Sequence, residues 1–430
     1  MRDIILTLFI LGTIPLIFRS PWLGTIELAW LTYMNPHLLT WGFARGMPFA
    51  QLIFAVTVLA VIVGKGRTKE WWGIPMVPSS GVLLFYIFWT GVTTLFALTS
   101  SISTFYFLFF VKMQILNVLT LMLIKDKQRI MAMCAVIVFS VGFIGVKGGV
   151  YTVLTGGEGR VWGIGGVMAE NNSLAVGLLM TIPILRFLQL QADKKWIRNG
   201  LYFVLLLMFV AVVGTKSRGA LVAMVAMSVF FWWQSRQKFL IATVLILSII
   251  PTLMFMPQSW WDRMSTIQSY EKDASAMGRI DAWVYAINVA NDRPLVGGGF
   301  RSTEIPSNFF KYNPEAPRVR AAHSIWFEVL GDHGWVGLAL FFVLGVLTYR
   351  ECGKIVRRVR GDPAQQWASD LARMLKVSIV AYAVGGTFLN LGVFDLYYNL
   401  VALVIVLSYV TSRDSATAKS GARPAPVAAQ

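Results

Sequence analysis

The chain has 430 residues, of which 56% are hydrophobic and only 14% charged, against about 25% charged in ordinary soluble domains; mean hydropathy is +0.64. A chain folding in water cannot hide that much apolar surface, so a soluble globular protein is excluded and a membrane solvent is predicted. The net charge of +17 comes from 38 Lys and Arg against 21 Asp and Glu, scattered between apolar runs, which excludes a nucleic-acid binder; disorder and a disulfide scaffold are excluded too, and the two cysteines, Cys134 and Cys352, are expected near opposite membrane faces.

Residues 4–34 are apolar but broken by Arg19, Ser20 and Pro21, giving one bent span or two short segments. A signal peptide is the rival reading of residues 1–20. No small-residue cleavage site follows at Arg19-Ser20-Pro21-Trp22, so the stretch reads as a membrane anchor. Further runs long enough for helices lie near 48–64, 80–98, 103–123, 131–153, 171–191, 200–213, 219–233, 239–256, 333–349, 373–391 and 396–411. Threading them puts the basic clusters on one side: Lys65/Arg67/Lys69, Lys125/Lys127/Arg129, Lys194/Lys195/Arg198, Arg236/Lys238 and Arg350/Lys354/Arg357/Arg358/Arg360. The positive-inside rule makes that side cytoplasmic. The segment 48–64 then runs inward, and a cytoplasmic N-terminus requires one net crossing within 4–34. The predicted fold class is an all-α polytopic membrane protein of about twelve transmembrane helices. It divides into a bundle over 1–256 with about nine spans, a large periplasmic loop over 257–331 carrying short amphipathic helices, about three spans over 332–411, and a disordered cytoplasmic tail over 412–430. For a bacterial chain this means the inner membrane, with the chemistry facing the periplasm.

Loops on the external side normally avoid cations, yet this side holds Arg160, Lys216, Arg218, Arg263, Arg279, Arg301, Arg318 and Arg320. Guanidinium forks match phosphate oxygens, so a site for an anionic, phosphate-bearing lipid would compensate them; ordinary solvated loop charge is the plain alternative. Arg160 and Arg218 stand out because each sits in a Gly-containing turn at a helix end, where backbone can approach a ligand and helix N-termini favour anions. Ile280, Trp283 and Ile287 recur at helical spacing and Pro294 stops the run, predicting an amphipathic helix of about three turns at the membrane surface, with Arg279 on its first turn. The following Leu295-Val-Gly-Gly-Gly-Phe300 reads as a flexible turn with exposed N–H groups. Of the three histidines, His323 lies just before a helical run on the external side, among the arginines, and is the candidate general base; His333, where the next span begins, reads as structural. Lys112 and Lys147 are costly charges within spans, and two readings stand side by side: pairing inside the bundle, or a hold on a diphosphate. Glu158 and Glu170 flank the Arg160 loop as candidates to orient it. There is no phosphate-binding Gly-x-x-x-x-Gly-Lys-Ser/Thr loop and no Cys/His cluster for zinc, so neither ATP nor a metal is expected, and no cofactor is called for.

At these residues the chain resembles the O-antigen ligase and polymerase superfamily. The matching pieces are Arg160 before Asn171-Asn172, Ser217-Arg218-Gly219, Gly278-Arg279 with Trp283 and Pro294 leading to Gly297–Gly299, and His323-Ser324 with Gly331 and Gly334. The family often has Asn after the histidine, where this chain has Ser324. The N-terminal portion is also similar to O-glycosylation ligases of exosortase-associated clusters. The resemblance implies metal-independent, inverting transfer of a glycan from undecaprenyl diphosphate to a sugar hydroxyl of lipid A–core. It gives Arg218 and Arg279 to the diphosphate, with help from Arg160, and makes His323 the base; Lys216 and Lys112 are added, apart from the resemblance, as further cations for the diphosphate. A polymerase and a protein Ser/Thr ligase share this chemistry. A polysaccharide or lipid transporter is the alternative from another class; it would show inverted repeats, none of which is seen, and midplane charges, for which Lys112 is the best candidate.

Overall fold

In hydrocarbon every backbone N–H and C=O must find a partner within the chain, so apolar runs of this length fold as helices. The computed structural model describes residues 1–64, 72–234, 254–265 and 274–419, and among them there is no strand. The helices in chain order are α1 (Arg2–Arg19), α2 (Trp22–Met34), α3 (Phe49–Gly64), α4 (Pro78–Leu95), α5 (Ser100–Leu123), α6 (Lys127–Leu154), α7 (Asn171–Leu190), α8 (Lys195–Gly214) and α9 (Arg218–Gln234). Then come three shorter or amphipathic helices, α10 (Gln258–Ser265), α11 (Ala274–Asp292) and α12 (Pro306–Tyr312). The chain closes with α13 (Ile325–Arg358), α14 (Gln366–Gly386) and α15 (Asp395–Lys419). Among the described residues, seven helices are long and apolar enough to cross a membrane: α4, α5, α6, α7, α8, α13 and α15. The remaining expected spans are shorter (α2, α3 and α9), richer in charge (α14, with Asp370, Arg373 and Lys376), or fall at 239–256, almost wholly outside the described residues.

The bundle has two distinct ends. At the basic end Lys127 lies over Trp367, Arg413 donates to the Lys125 carbonyl at 3.2 Å, and Glu351 accepts from Ser408 at 2.6 Å. Cys134 opens α6 there and Cys352 closes α13 there, both buried and free, so the cysteines share one end rather than lying at opposite faces. The other end carries His323 and the short helices. Among the described residues, α4 to α9 run alternately between the two ends, and so do α13 to α15.

The N-terminal region departs from the expected single net crossing. Asp3 Oδ1 accepts from the amides of Gly42 and Ala44 at 2.9 and 3.0 Å, Thr13 donates to Glu27 Oε2 at 2.7 Å, and Arg129 lies over Trp22. Helices α1 and α2 therefore form an antiparallel hairpin whose tip, at Ser20–Pro21, is at the basic end and whose open end packs beside Gly165 and Gly166 at the His323 end. The cause is local: a residue before proline is driven out of the helical region, and Ser20 is at φ −141°, ψ 86°, so the chain reverses where it was expected to bend. Of the tail expected to be disordered from 412, residues 412–419 are helical and residues 420–430 lie outside the described residues. Helix α15 continues to Lys419, with Ser412 and Ser415 bonding back to carbonyls four residues earlier and Arg413 anchored on Lys125.

The Gly-rich segment after α11 is packed rather than exposed. Helix α13 breaks at Gly334, where φ is 68°, leaving the carbonyls of Gly331 and Asp332 without helical partners. The Gly298 and Gly299 amides take them at 2.8 and 2.9 Å, and the Trp335 amide reaches the Pro294 carbonyl at 2.9 Å. Glycine is needed for this approach: a Cβ on Gly297, at φ +61°, would stand 2.6 Å from the Gly334 nitrogen. Helix α11 buries Ala282, Tyr285, Ala286 and Val289 and leaves Ile280 and Ile287 about 40% exposed, so the apolar stripe expected around Ile280 and Ile287 faces outward.

Candidate functional site

Between α5, α7, the start of α13 and the 389–393 loop lies a cavity of about 570 Å³ at the His323 end. Its rim is set by well-anchored backbone. The loop before α15 is pinned at Leu391 by the Tyr382 hydroxyl (2.6 Å) and at Gly392 by the Tyr398 hydroxyl and the Glu328 carboxylate (2.7 and 2.8 Å). His323 reaches the cavity from a left-handed backbone conformation, φ 44°. Such a conformation in a non-glycine residue is costly and persists only where its surroundings impose it. Here the Trp283 indole donates to the carbonyl of Ala322 at 2.8 Å while its ring stacks on Phe327 at 4.7 Å, so α11 grips the chain on both sides of His323. A small separate core of Ala282, Tyr285, Val289, Phe309 and Ala316 backs this grip.

Burial, then the nearby guanidiniums of Arg279 and Arg320, holds the His323 imidazolium below the usual histidine range. The ring is therefore neutral at neutral pH, the form a general base requires. Arg320 lies across Gly278, where a Cβ would come 2.8 Å from its Cγ, so Gly278 makes room for a second guanidinium beside Arg279.

The remaining predicted residues fall into two groups. Arg160, Lys216 and Arg218 gather at the α8–α9 turn. The carbonyls freed where α8 ends are taken by neighbours: Val213 by the Trp260 indole, Gly214 by the Val161 amide at 3.0 Å, and Thr215 by the Asn171 side chain at 2.8 Å. Lys216 is buried and donates to the Glu158 carbonyl at 2.9 Å, which ties the Arg160 loop to the turn. Arg160 lies over the Trp162 ring. Arg218 opens α9, and the next residue, Gly219, packs on Phe388, whose neighbour Leu389 lines the cavity, while Arg160, Lys216 and Arg218 do not line it. Lys112, by contrast, is exposed on the outside of α5, one turn further from the His323 end than Phe109, and Lys147 is exposed on α6. Neither pairs inside the bundle with any of the described residues, as one reading of them required. The side chain of Arg263 lies outside the described residues. His333 is buried, with Nδ1 2.7 Å from the Thr93 hydroxyl and its ring against Phe300, a packing role.

Sequence reasoning named Arg301, Glu170 and Asn172 but missed Glu304, Glu328 and Asp332. Glu328 and Asp332 line it from one face of α13, Glu304 and Arg301 from the segment before α12, and Glu170, Asn172 and Ser173 from the start of α7. The Arg301 amide bonds Asp332 Oδ2 at 3.1 Å, and its guanidinium takes Glu304 through both carboxylate oxygens at 2.7 and 2.9 Å. A usable signal existed in the four-residue spacing of Glu328 and Asp332, which puts two carboxylates on one helical face within an apolar run. Among the described residues no group of three or more His, Cys, Asp or Glu is arranged to hold a metal ion.

Comparison with family models matches residues 203–342 to a family described as O-antigen ligase, and residues 1–189 to a family of unknown function. The first match spans Lys216, Arg218, Arg279 and His323 and supports membership of the O-antigen ligase and polymerase superfamily. Comparison with curated proteins finds no match.

Proposed function

We propose, from the premise that residues 203–342 form an O-antigen ligase domain, that the protein is a glycosyltransferase moving a glycan from undecaprenyl diphosphate to a sugar hydroxyl of lipid A–core. The observation that carries this reading is His323: a neutral imidazole on a cavity wall, held in a costly conformation, with two guanidiniums beside it. The acceptor hydroxyl attacks the anomeric carbon from the face opposite the phosphate. As the new C–O bond forms, its proton passes to the His323 imidazole; as the anomeric C–O bond breaks, its electron pair leaves on the diphosphate. The anomeric centre is inverted. Diphosphate is a good leaving group whose growing charge fixed cations can stabilise, so Arg218 and Arg279 take the place of a metal, with Arg160 assisting. Lys216 positions the Arg160 loop, and Lys112 offers charge to an anionic lipid arriving along the membrane face. The site faces the periplasm, since the basic end is cytoplasmic by the positive-inside rule.

The test is transfer by purified protein with polyprenyl-diphosphate glycan and lipid A–core in the presence of EDTA. Product is expected with the unaltered chain and almost none with His323→Ala. Full activity of His323→Ala removes the proposed base, and loss of turnover on chelation removes the metal-free mechanism.

A further inference from the structure

At the basic end of the bundle Lys376 of α14 reaches across to α13. Its ammonium lies 4.4 Å from the centroid of the Tyr349 ring, and a Cβ on Gly353 would stand 3.3 Å from its Nζ and 3.8 Å from Nη1 of Arg357. Arg373, one turn earlier on α14, acts on the charge of Lys376 as Arg357 does. Three cations from two helices therefore converge beside one glycine. Among the described residues no carboxylate pairs with any of the three, and residues 235–253, which follow α9, contain no Asp or Glu. Other cations at this end are matched: Lys354 and Arg358 with Glu351 at 3.1 and 3.9 Å, and Arg129 with Asp126 at 3.0 Å. The positive-inside rule puts cations at this end but does not press them together, since long side chains in water spread apart from like charge. An anion held between them offsets the repulsion.

The height of the cluster selects the anion. The apolar run of α13 ends at 349 and that of α14 starts at 373, while α13 continues to Arg358 and α14 reaches back to Gln366. The three cations thus stand where hydrocarbon gives way to water. Trp233, largely exposed at the same end of α9, marks that level, and Phe230 of α9 packs on Tyr349 at 6.3 Å. A basic pocket between spanning helices at this height suits a lipid phosphate. We propose that Arg357, Arg373 and Lys376 form a binding site for the phosphodiester headgroup of an anionic glycerophospholipid, drawn from the leaflet at the basic end, which is cytoplasmic by the positive-inside rule. The two guanidiniums take phosphate oxygens as forks, Lys376 supplies a point charge from the Tyr349 face, and the acyl chains lie toward Phe230. A bound phosphate ties α13 to α14, the helices that at the other end start beside His323 and lead into the 389–393 rim. The site stands apart from the transfer proposed at that end and does not depend on it.

Phosphatidylglycerol is the probe. The purified full chain, stripped of lipid in a neutral detergent, is titrated with phosphatidylglycerol, with phosphatidylcholine and with glycerol phosphate, and hydrogen exchange is followed over residues 350–376. Phosphatidylglycerol is expected to slow exchange there, and the other two to leave it unchanged. Each cation beside a lipid headgroup is worth about fivefold in affinity, so Arg357→Gln with Lys376→Gln should raise the half-saturating phosphatidylglycerol about 20-fold or more. Arg373→Gln, at an exposed position, should raise it about fivefold, and decides the matter if the paired variant loses helix content by circular dichroism. Lys195→Gln with Arg198→Gln removes two charges from the start of α8 at the same end, and should shift it less than about twofold. Protection that survives in the Arg357/Lys376 and Arg373 variants overturns the proposal, as does an equal loss in the α8 variant, which would make the effect one of net charge. Absence of protection by phosphatidylglycerol overturns it too. Equal protection by phosphatidylcholine removes the requirement for an anionic headgroup, and equal protection by glycerol phosphate removes the lipid; either result sinks the assignment.

Discussion

The grip of Trp283 on the chain before His323 can be released without removing its ring packing. Trp283→Phe keeps an aromatic face for Phe327, now stacked at 4.7 Å, but deletes the indole N–H that bonds the buried Ala322 carbonyl at 2.8 Å. An unsatisfied buried acceptor costs about 1–3 kcal/mol, and the left-handed conformation of His323 is itself unfavourable by roughly 1–2 kcal/mol. Both terms favour relaxation of the chain at 322–323, and relaxation moves the imidazole off the acceptor hydroxyl. If the lost bond was spent on holding His323 in its reactive position, kcat should fall by roughly 5- to 150-fold, the same 1–3 kcal/mol read as a rate. Trp283 is engaged with Ala322 and Phe327 and is not among the residues proposed to hold the donor, so donor KM should change less than about twofold. Single-turnover transfer at saturating donor, with circular dichroism to check helix content, measures this. An unchanged kcat with intact helices would refute the positioning role, and so would a change confined to KM.

Other outcomes follow from the same geometry. Arg320→Ala removes one of the cations that depress the His323 pKa, so the acid limb of the pH–rate profile should move to higher pH; the limb reports loss of the neutral imidazole, and a shift to lower pH would contradict the assignment. Arg218→Ala and Arg279→Ala should each raise donor KM about 10-fold or more, the usual cost of a lost charge-assisted phosphate contact, as measured by titrating the polyprenyl-diphosphate substrate. Gly297→Ala puts a methyl 2.6 Å from the Gly334 nitrogen at φ +61°; conformational cost and overlap together amount to about 2–5 kcal/mol, and the inactivation temperature in detergent should drop by several degrees.

The regular part of the bundle was legible because apolar length and basic loops are one-dimensional signals. Helices α3 to α9 begin and end within about five residues of the apolar runs, whereas α13 overruns its run by two turns or more at both ends and α14 and α15 are extended at the basic end. Reversals at short breaks were not legible. Nothing in 4–34 distinguishes a bend at Ser20–Pro21 from a hairpin, and the contacts that decide it, Asp3 to Gly42 and Thr13 to Glu27, join residues 14 to 39 positions apart. The Gly297–Gly299 segment read as exposed because its hydrogen-bond partners arise only where α13 breaks at Gly334. His323 and Arg279 do come together, as the unusual cations on one side of an apolar chain led one to expect, whereas Arg218 does not line the cavity. Glu328 and Asp332 went unread despite their four-residue spacing, because an acidic residue in the first turn of a helix, where Glu328 stands, already has an ordinary explanation in the helix dipole.

That last ambiguity has a physical resolution in the tertiary structure. A carboxylate placed only to favour a helix start would be free to point into water. Asp332 is 5% exposed and eight residues into α13, past the first turn where the dipole acts, and its oxygen is taken by the Arg301 amide. Glu328 is bonded to a backbone amide 64 residues away. Burying two carboxylates four residues apart beside a third, on Glu304, is expensive unless something offsets it, and the Arg301 guanidinium is matched to only one of them. A folded protein accepts that cost where the groups meet a ligand. Side chains buried at that cost on a cavity wall beside His323 belong to the chamber rather than to the helix start.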